Sequence, residues 1–363
     1  MNITIVAGAR PNFIKIAPVI NSLTKKMKEG FNLNFRLVHT GQHYDKNMSD
    51  IFFSQLGIPA PHSNLKAGGG SQAEQTGNIM VRFEKELMLN KPDLVLLFGD
   101  VTSTLACSIV SKKFNIDIAH IEGGIRSNDL TMPEEINRIV TDSISDYFFT
   151  TSKYANQNLI TEGVSPDKIF FVGNTMIDTL LKNEKKFFPP IFWNDLGLIK
   201  YNYFVLTLHR PSNVDDDVQL TNLINTIVDE SNDKLIIFPV HPRTLKKINS
   251  VGIKFKNLFF VEPMSYLEFN YLVKFSIGVI TDSGGITEEA TVMNVPCITL
   301  RDSTERPETI EVGTNELVGS SHKNIPPYIQ KILNGKWKKG QSPPLWDGKT
   351  GDRIVKKIIE LYL

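Results

Sequence analysis

The sequence predicts an α/β protein of two Rossmann-like domains whose parallel sheets face a cleft. Three observations predict it. Short apolar, β-branched runs alternate with amphipathic stretches along the chain, the pattern of parallel sheets wound with right-handed crossovers. The runs are apolar on successive residues, as expected of strands buried on both faces. The alternation breaks once, at residues 182–200 (KNEKKFFPPIFWNDLGLIK), where a charge run and a Pro-Pro pair carry no strand pattern and read as a linker. A chain of 363 residues is comfortable for two domains.

In chain order, the first set of strands is ITIVA (3–7), FRLVH (35–39), DLVLLFG (93–99), DIAHIE (117–122), YFFTT (147–151) and IFFVG (169–173). The second is YFVLTL (203–208), LIIFPV (235–240), LFFVE (258–262), IGVIT (277–281) and PCITL (296–300). Helical patterns such as KIAPVINSLTKKM and TSTLACSIVSKKF lie between them. The expected domains are residues 1–172 and 173–345. A terminal helix, 351–363, has apolar positions 354, 355, 358, 359 and 361, and is expected to pack back on the first domain.

The formal charge is +1 with acids and bases interspersed, which argues against a dedicated nucleic-acid binder. The start, MNITIVAGARPNF, has too short an apolar run for a signal peptide, and no run approaches membrane-spanning length. Cys107 and Cys297, far apart, fit a reducing cytoplasm and inert core positions.

The functional signal is where the strands end. FGD (Asp100), HIE (Glu122), LHR (His209, Arg210), VHPR (His241, Arg243), TDS (Asp282, Ser283) and GAR (Arg10) each close an apolar run with ionisable groups. Ligands of open α/β sheets bind at the carboxyl ends of strands, so the interdomain cleft is the expected site. In ITDSGGITEEA (280–290) a strand, two glycines and a helix start follow one another, a seat for a phosphate or diphosphate. Glu288 and Glu289 on that helix fit either dipole complementation or the holding of ribose hydroxyls. Arg301 and Arg306 in ITLRDSTERPET fit bidentate phosphate pairing or ordinary ion pairs. Lys15 lies about a turn beyond Arg10 and fits an anionic ligand or a solvated face. No GxGxxG follows a strand and no Walker loop occurs, so neither a tightly bound nicotinamide nor an ATPase is expected. The histidines lack metal-ligand spacing, and no metal is expected.

The densest cluster is HIEGGIRSNDLTMPEEINR (120–138). Its strand carries Glu122, its middle reads as a flexible loop, and its last six residues start a helix with Pro133 near N1. Arg138 lies four residues beyond Glu134, which places the two on one helical face as an i,i+4 pair. Glu135, on the adjoining face, reads as a dipole partner.

GARPNFIKIAPVI, TGQHYD, GSQAEQT, FGDVTSTLA, HIEGGIRS, PEEINR, GNTMID, TLHRPSN, PVHP, TDSGGITEEA and DSTERPET occur in this order. This set resembles the non-hydrolysing UDP-N-acetylglucosamine 2-epimerases, from residue 3 to about residue 319. The resemblance implies a two-domain fold like that of GT-B glycosyltransferases, and interconversion of UDP-GlcNAc and UDP-ManNAc. The implied path is anti elimination of UDP to 2-acetamidoglucal, then readdition. Asp100, Glu122, Glu134 and His209 match catalytic residues. Arg10, Ser283, Gly284, Gly285 and Arg306 match diphosphate contacts, Glu289 the ribose contact and Phe269 the residue beside uracil. Lys15 and Arg138 match further residues of the cleft. The resemblance implies no cofactor, a cytoplasmic homodimer, and service to polysaccharide biosynthesis. The chain departs from the family at HRPSN (209–213), where a second arginine is usual, and at Gly68–Gly70, where the regulated members carry an arginine. Such departures fit a sister 2-epimerase of UDP-2,3-diacetamido-glucuronate; a glycosyltransferase on the same fold is the alternative of another class.

Overall fold

The computed structural model describes residues 1–42, 53–240, 244–245, 247–248, 252 and 255–363. His43, His241 and Arg243 lie outside the described residues. The chain forms two compact units, Met1–Lys182 with Pro344–Leu363, and Asn183–Pro343. The break therefore comes after Lys182 rather than after Val172.

The first unit holds a parallel sheet of seven strands in the order β3-β2-β1-β4-β5-β6-β7. The strands are β1 (Asn2–Ala7), β2 (Asn34–His39), β3 (Ser63–Asn64), β4 (Leu94–Phe98), β5 (Asp117–Ile121), β6 (Tyr147–Thr150) and β7 (Ile169–Phe171). All five residues of β4 are buried, so its unbroken apolar run does mark a strand covered on both faces. The order reverses between β1 and β4, which opens the crevice of a doubly wound sheet at their carboxyl ends. The last helix, Thr350–Tyr362, buries Ile354, Val355 and Ile358 within this unit, and its Asp352 accepts a hydrogen bond from Ser22 Oγ at 2.8 Å.

The second unit holds six parallel strands in the order β10-β9-β8-β11-β12-β13. They are β8 (Tyr203–Thr207), β9 (Leu235–Pro239), β10 (Leu258–Val261), β11 (Gly278–Thr281), β12 (Cys297–Thr299) and β13 (Asn315–Leu317). Here the order reverses between β8 and β11. Residues 183–200 are not a solvated linker. They make two short 3-10 turns, Glu184–Lys186 and Ile191–Trp193, and bury Leu198. Trp193 packs edge-on against Tyr203 and Tyr271, with ring centroids 5.6 and 5.2 Å apart. The aromatic residues beside the proline pair supply apolar surface that the charge run conceals.

Both cysteines are buried and free; burial pushes the Cys297 thiol up to about 12 and Cys107 up as well, which leaves them unreactive. No described helix is long and apolar enough to cross a membrane.

Candidate active site

At the crevice of the first unit, Arg10 is the first residue of the helix Arg10–Lys28. Asn12 stitches the ends of β1 and β4 together: its side chain accepts from the backbone N–H of Gly8 and Ala9, both at 3.1 Å, and donates to the Phe98 carbonyl at 2.9 Å. One turn further on, Lys15 is not solvated. It is buried, and its Nζ lies 2.6 Å from Glu122 Oε2. A Cβ at Gly99 would stand 2.9 Å from that Nζ, so any larger residue there would push the amine aside. Gly99 and Glu122 both take positive φ, +64° and +72°. A glutamate in the left-handed region is uncommon, and such local strain collects at functional positions.

Asp100 follows on the neighbouring strand end. Phe98 is in register with Ile121 across β4 and β5, which puts the Asp100 and Glu122 turns side by side. Arg138, almost wholly buried, donates to Asp100. Its Nε donates to Glu135 Oε2 at 2.8 Å. The i,i+4 pairing with Glu134 expected from spacing is corrected here, because Glu134 faces solvent while Arg138 turns inward to Glu135 and Asp100. Glu135 is likewise no surface dipole partner. It is 1 % exposed and accepts the backbone N–H groups of Ser127 and Asn128 at 3.0 and 2.8 Å. The intervening segment, expected to be a flexible loop, is buried from Gly123 to Ser127 and tied down by such bonds.

In the second unit the register Thr207↔Thr281 brings the ends of β8 and β11 together. His209 Nδ1 lies 2.7 Å from Asp282 Oδ1. The imidazole is 61 % exposed and the carboxylate fully buried. Asp282 also accepts the backbone N–H of His209 at 3.0 Å and of Arg210 at 2.9 Å, and Asn213 Nδ2 at 3.1 Å. Burial alone would raise its pKa, but the histidine and these donors outweigh burial and hold the carboxyl below its ordinary value. The contact through Nδ1 fixes the ring orientation and leaves Nε2 on the side away from this carboxylate. Sequence reasoning placed Asp282 at a strand end yet assigned it no role. Its signal, an acid just before Ser-Gly-Gly, acquires meaning only once β8 is known to pair with β11.

Ser283 is the N-cap of the helix Gly284–Val292, whose first two residues are Gly284 and Gly285. A Cβ at Gly284 would stand 2.8 Å from Glu305 Oε1. Arg306 is buried and ion-paired with Glu288, and Arg301 with Glu305 at 2.5 Å, so neither arginine makes an ordinary surface pair. Glu289 is buried and accepts from Tyr266 OH at 2.8 Å. Burial, with Glu288 adjacent, pushes its carboxyl up to about 7. Tyr266 and Phe269 lie three residues apart on the helix Tyr266–Lys274, so Phe269 is one turn from the tyrosine that contacts Glu289.

The model of the family described as UDP-N-acetylglucosamine 2-epimerase matches residues 25–359. A UDP-N-acetylglucosamine 2-epimerase of Methanocaldococcus jannaschii is 44% identical over 369 residues, covering 98% of each chain. Its crystal structure in complex with UDP-GlcNAc and UDP superposes with a TM-score of 0.88 at 42% identity, over 99% of this chain and all of that one. A UDP-2,3-diacetamido-2,3-dideoxy-D-glucuronate 2-epimerase of Pseudomonas aeruginosa is 39% identical over 99% of this chain and 100% of its own. A lipopolysaccharide outer core galactosyltransferase, at 13% identity and a TM-score of 0.56 over 99% of this chain and 100% of that one, shares the fold alone. Matched from end to end, the chain belongs to the UDP-N-acetylglucosamine 2-epimerase family.

Proposed function

We propose that the chain interconverts UDP-GlcNAc and UDP-ManNAc by inversion at C2 of the sugar. The reading is supported above all by two carboxylates, Asp100 and Glu122, on adjacent strand ends, each tied to a buried cation. C2–H is a poor acid, so its removal needs a positioned base, and inversion needs a proton delivered to the opposite face. In the forward step a carboxylate takes the C2 proton, the C1–O bond breaks and UDP departs with its electron pair, leaving a C1=C2 double bond. In the return step a phosphate oxygen re-forms the bond at C1 and a carboxylic acid protonates C2 from the other side. Asp100, Glu122 and Glu134 are assigned to these transfers in the first unit, with Lys15 and Arg138 setting the charge around them. The second unit is assigned the nucleotide: Ser283, Gly284, Gly285 and Arg306 with Arg10 for the diphosphate, Glu289 for ribose, Phe269 beside uracil. His209, oriented by Asp282, is assigned to the departing phosphate. No redox cofactor or metal enters these steps, and a cytoplasmic homodimer serving polysaccharide biosynthesis is the setting proposed.

Incubation with UDP-GlcNAc in D₂O tests this. Deuterium at C2 together with UDP-ManNAc is expected; a substrate that stays unlabelled and unchanged without an acceptor would point to a transferase. The Pseudomonas aeruginosa relative keeps the uronate substrate as a second reading. Turnover of UDP-2,3-diacetamido-glucuronate in the same assay, with UDP-GlcNAc inert, would select it.

A further inference from the structure

Beneath the two acids of the first unit lies an ion pair to which the reaction above gives no role. His120, fully buried on β5, has Nδ1 2.6 Å from Asp142 Oδ1 and Nε2 2.8 Å from the Gly99 carbonyl oxygen. A carbonyl oxygen only accepts, so Nε2 carries a proton. Asp142, on the helix Pro133–Ile144, already accepts on its other oxygen from Gly124 N–H at 3.0 Å and from Arg126 Nη1 at 2.7 Å. Beside that guanidinium it is a carboxylate, so Nδ1 carries a proton as well. The ring is an imidazolium; a neutral tautomer would set a lone pair against an oxygen in a site sealed from water.

The contacts of this pair are specific. Gly99 O belongs to the turn that presents Asp100. Gly124 and Arg126 belong to the loop that follows Glu122. Asp142 sits four residues after Arg138 on one helix, so the helix that pairs with Asp100 also pairs with His120. The charged groups around the ring are Asp142 on that helix, Glu122 at the end of its own strand with Lys15 of the first helix upon it, and Arg126, itself paired at 2.5 Å with Glu162, the C-cap of the helix Lys153–Thr161.

We propose that the buried His120–Asp142 imidazolium–carboxylate pair is a positioning device, fixing the Asp100 turn and the Glu122 loop to one anchor so that the two acids keep the spacing proton transfer needs. It rests on the reading of Asp100 and Glu122 as proton-transfer groups. Burial lowers the His120 pKa, but the Asp142 charge, the hydrogen bonds to Asp142 and Gly99 O, and the Glu122 charge together outweigh it, so the pKa stands above the ordinary histidine value.

The test uses the full chain and two variants, His120→Leu and His120→Gln. Misplaced acids lower kcat, so H120L is expected to lose about a hundredfold in kcat for epimerisation with KM and UDP affinity little changed. The glutamine amide can still donate to Gly99 O, and H120Q is expected to recover about tenfold of that loss. In ¹⁵N-histidine spectra, the wild-type resonance that vanishes in both variants is expected to be doubly protonated at pH 7, where a free histidine is mostly neutral. The proposal is overturned if that resonance is neutral at pH 7, if H120L keeps wild-type kcat, or if both variants lose UDP affinity in step with kcat. Absence of C2 exchange in the wild type would instead remove the functional reading, and is seen before any variant is made.

Discussion

Glu122 and Asp282 are buried carboxyl groups partnered in two different ways. Glu122 has the ammonium of Lys15, whereas Asp282 gathers backbone donors, an amide and an imidazole. Removing one partner from a buried ion pair typically costs about 3–5 kcal/mol. Lys15→Met is therefore expected to lower unfolding free energy in urea by roughly 3 kcal/mol and to abolish C2 exchange. Unchanged stability would show that the pair is open to water. Glu289 behaves in the opposite sense, because its buried carboxyl is raised from 4.5 to about 7. With the folded pKa above the unfolded one, its contribution is fully present below pH 4.5 and is lost as pH rises through about 7. Glu289→Gln does not titrate, so its stability relative to wild type is expected to improve by roughly 3 kcal/mol between pH 4.5 and pH 8. Urea melts at both ends of that range check it, and a difference moving the other way would refute the assignment.

Among the elements, the strands were readable wherever they are apolar and long enough to carry a pattern. β3 and β13 were not, since SN and NEL are short and polar and become strands only because β2 and β12 offer an edge to pair with. The Gly-Gly pair after Glu122 allows close approach, but the sequence does not say what it approaches. A Cβ on Gly124, at φ +79°, would stand 2.3 Å from the Ala155 carbonyl oxygen. Gly124→Ala is expected to destabilise by about 2–4 kcal/mol, strain and clash together, measured by thermal or urea melting. A loss below about 0.5 kcal/mol would mean that the loop moves freely away from the helix Lys153–Thr161.

On the scale of the whole molecule, each unit carries polar residues at the point where its strand order reverses, between β1 and β4 in one and between β8 and β11 in the other. Each has its own sheet and its own buried core. A fragment spanning Asn183–Pro343 is accordingly expected to bind UDP within about tenfold of the full chain and to catalyse no C2 exchange. Calorimetry checks it; a fragment folded by circular dichroism yet blind to UDP would move the nucleotide elsewhere. The sequence by itself determined the fold class, the long apolar strands and the polar turns that end them, because apolar runs and glycine-rich strand ends are local properties. Only the tertiary structure decided which charge meets which. Glu134 and Glu135 are adjacent and chemically alike, yet one faces water and the other is sealed against Arg138, since helix rotation and burial, not spacing alone, select the partner. His209 meets Asp282 through the pairing of strands far apart in sequence. His120 keeps its second proton because packing places an acceptor at each ring nitrogen where no water can substitute.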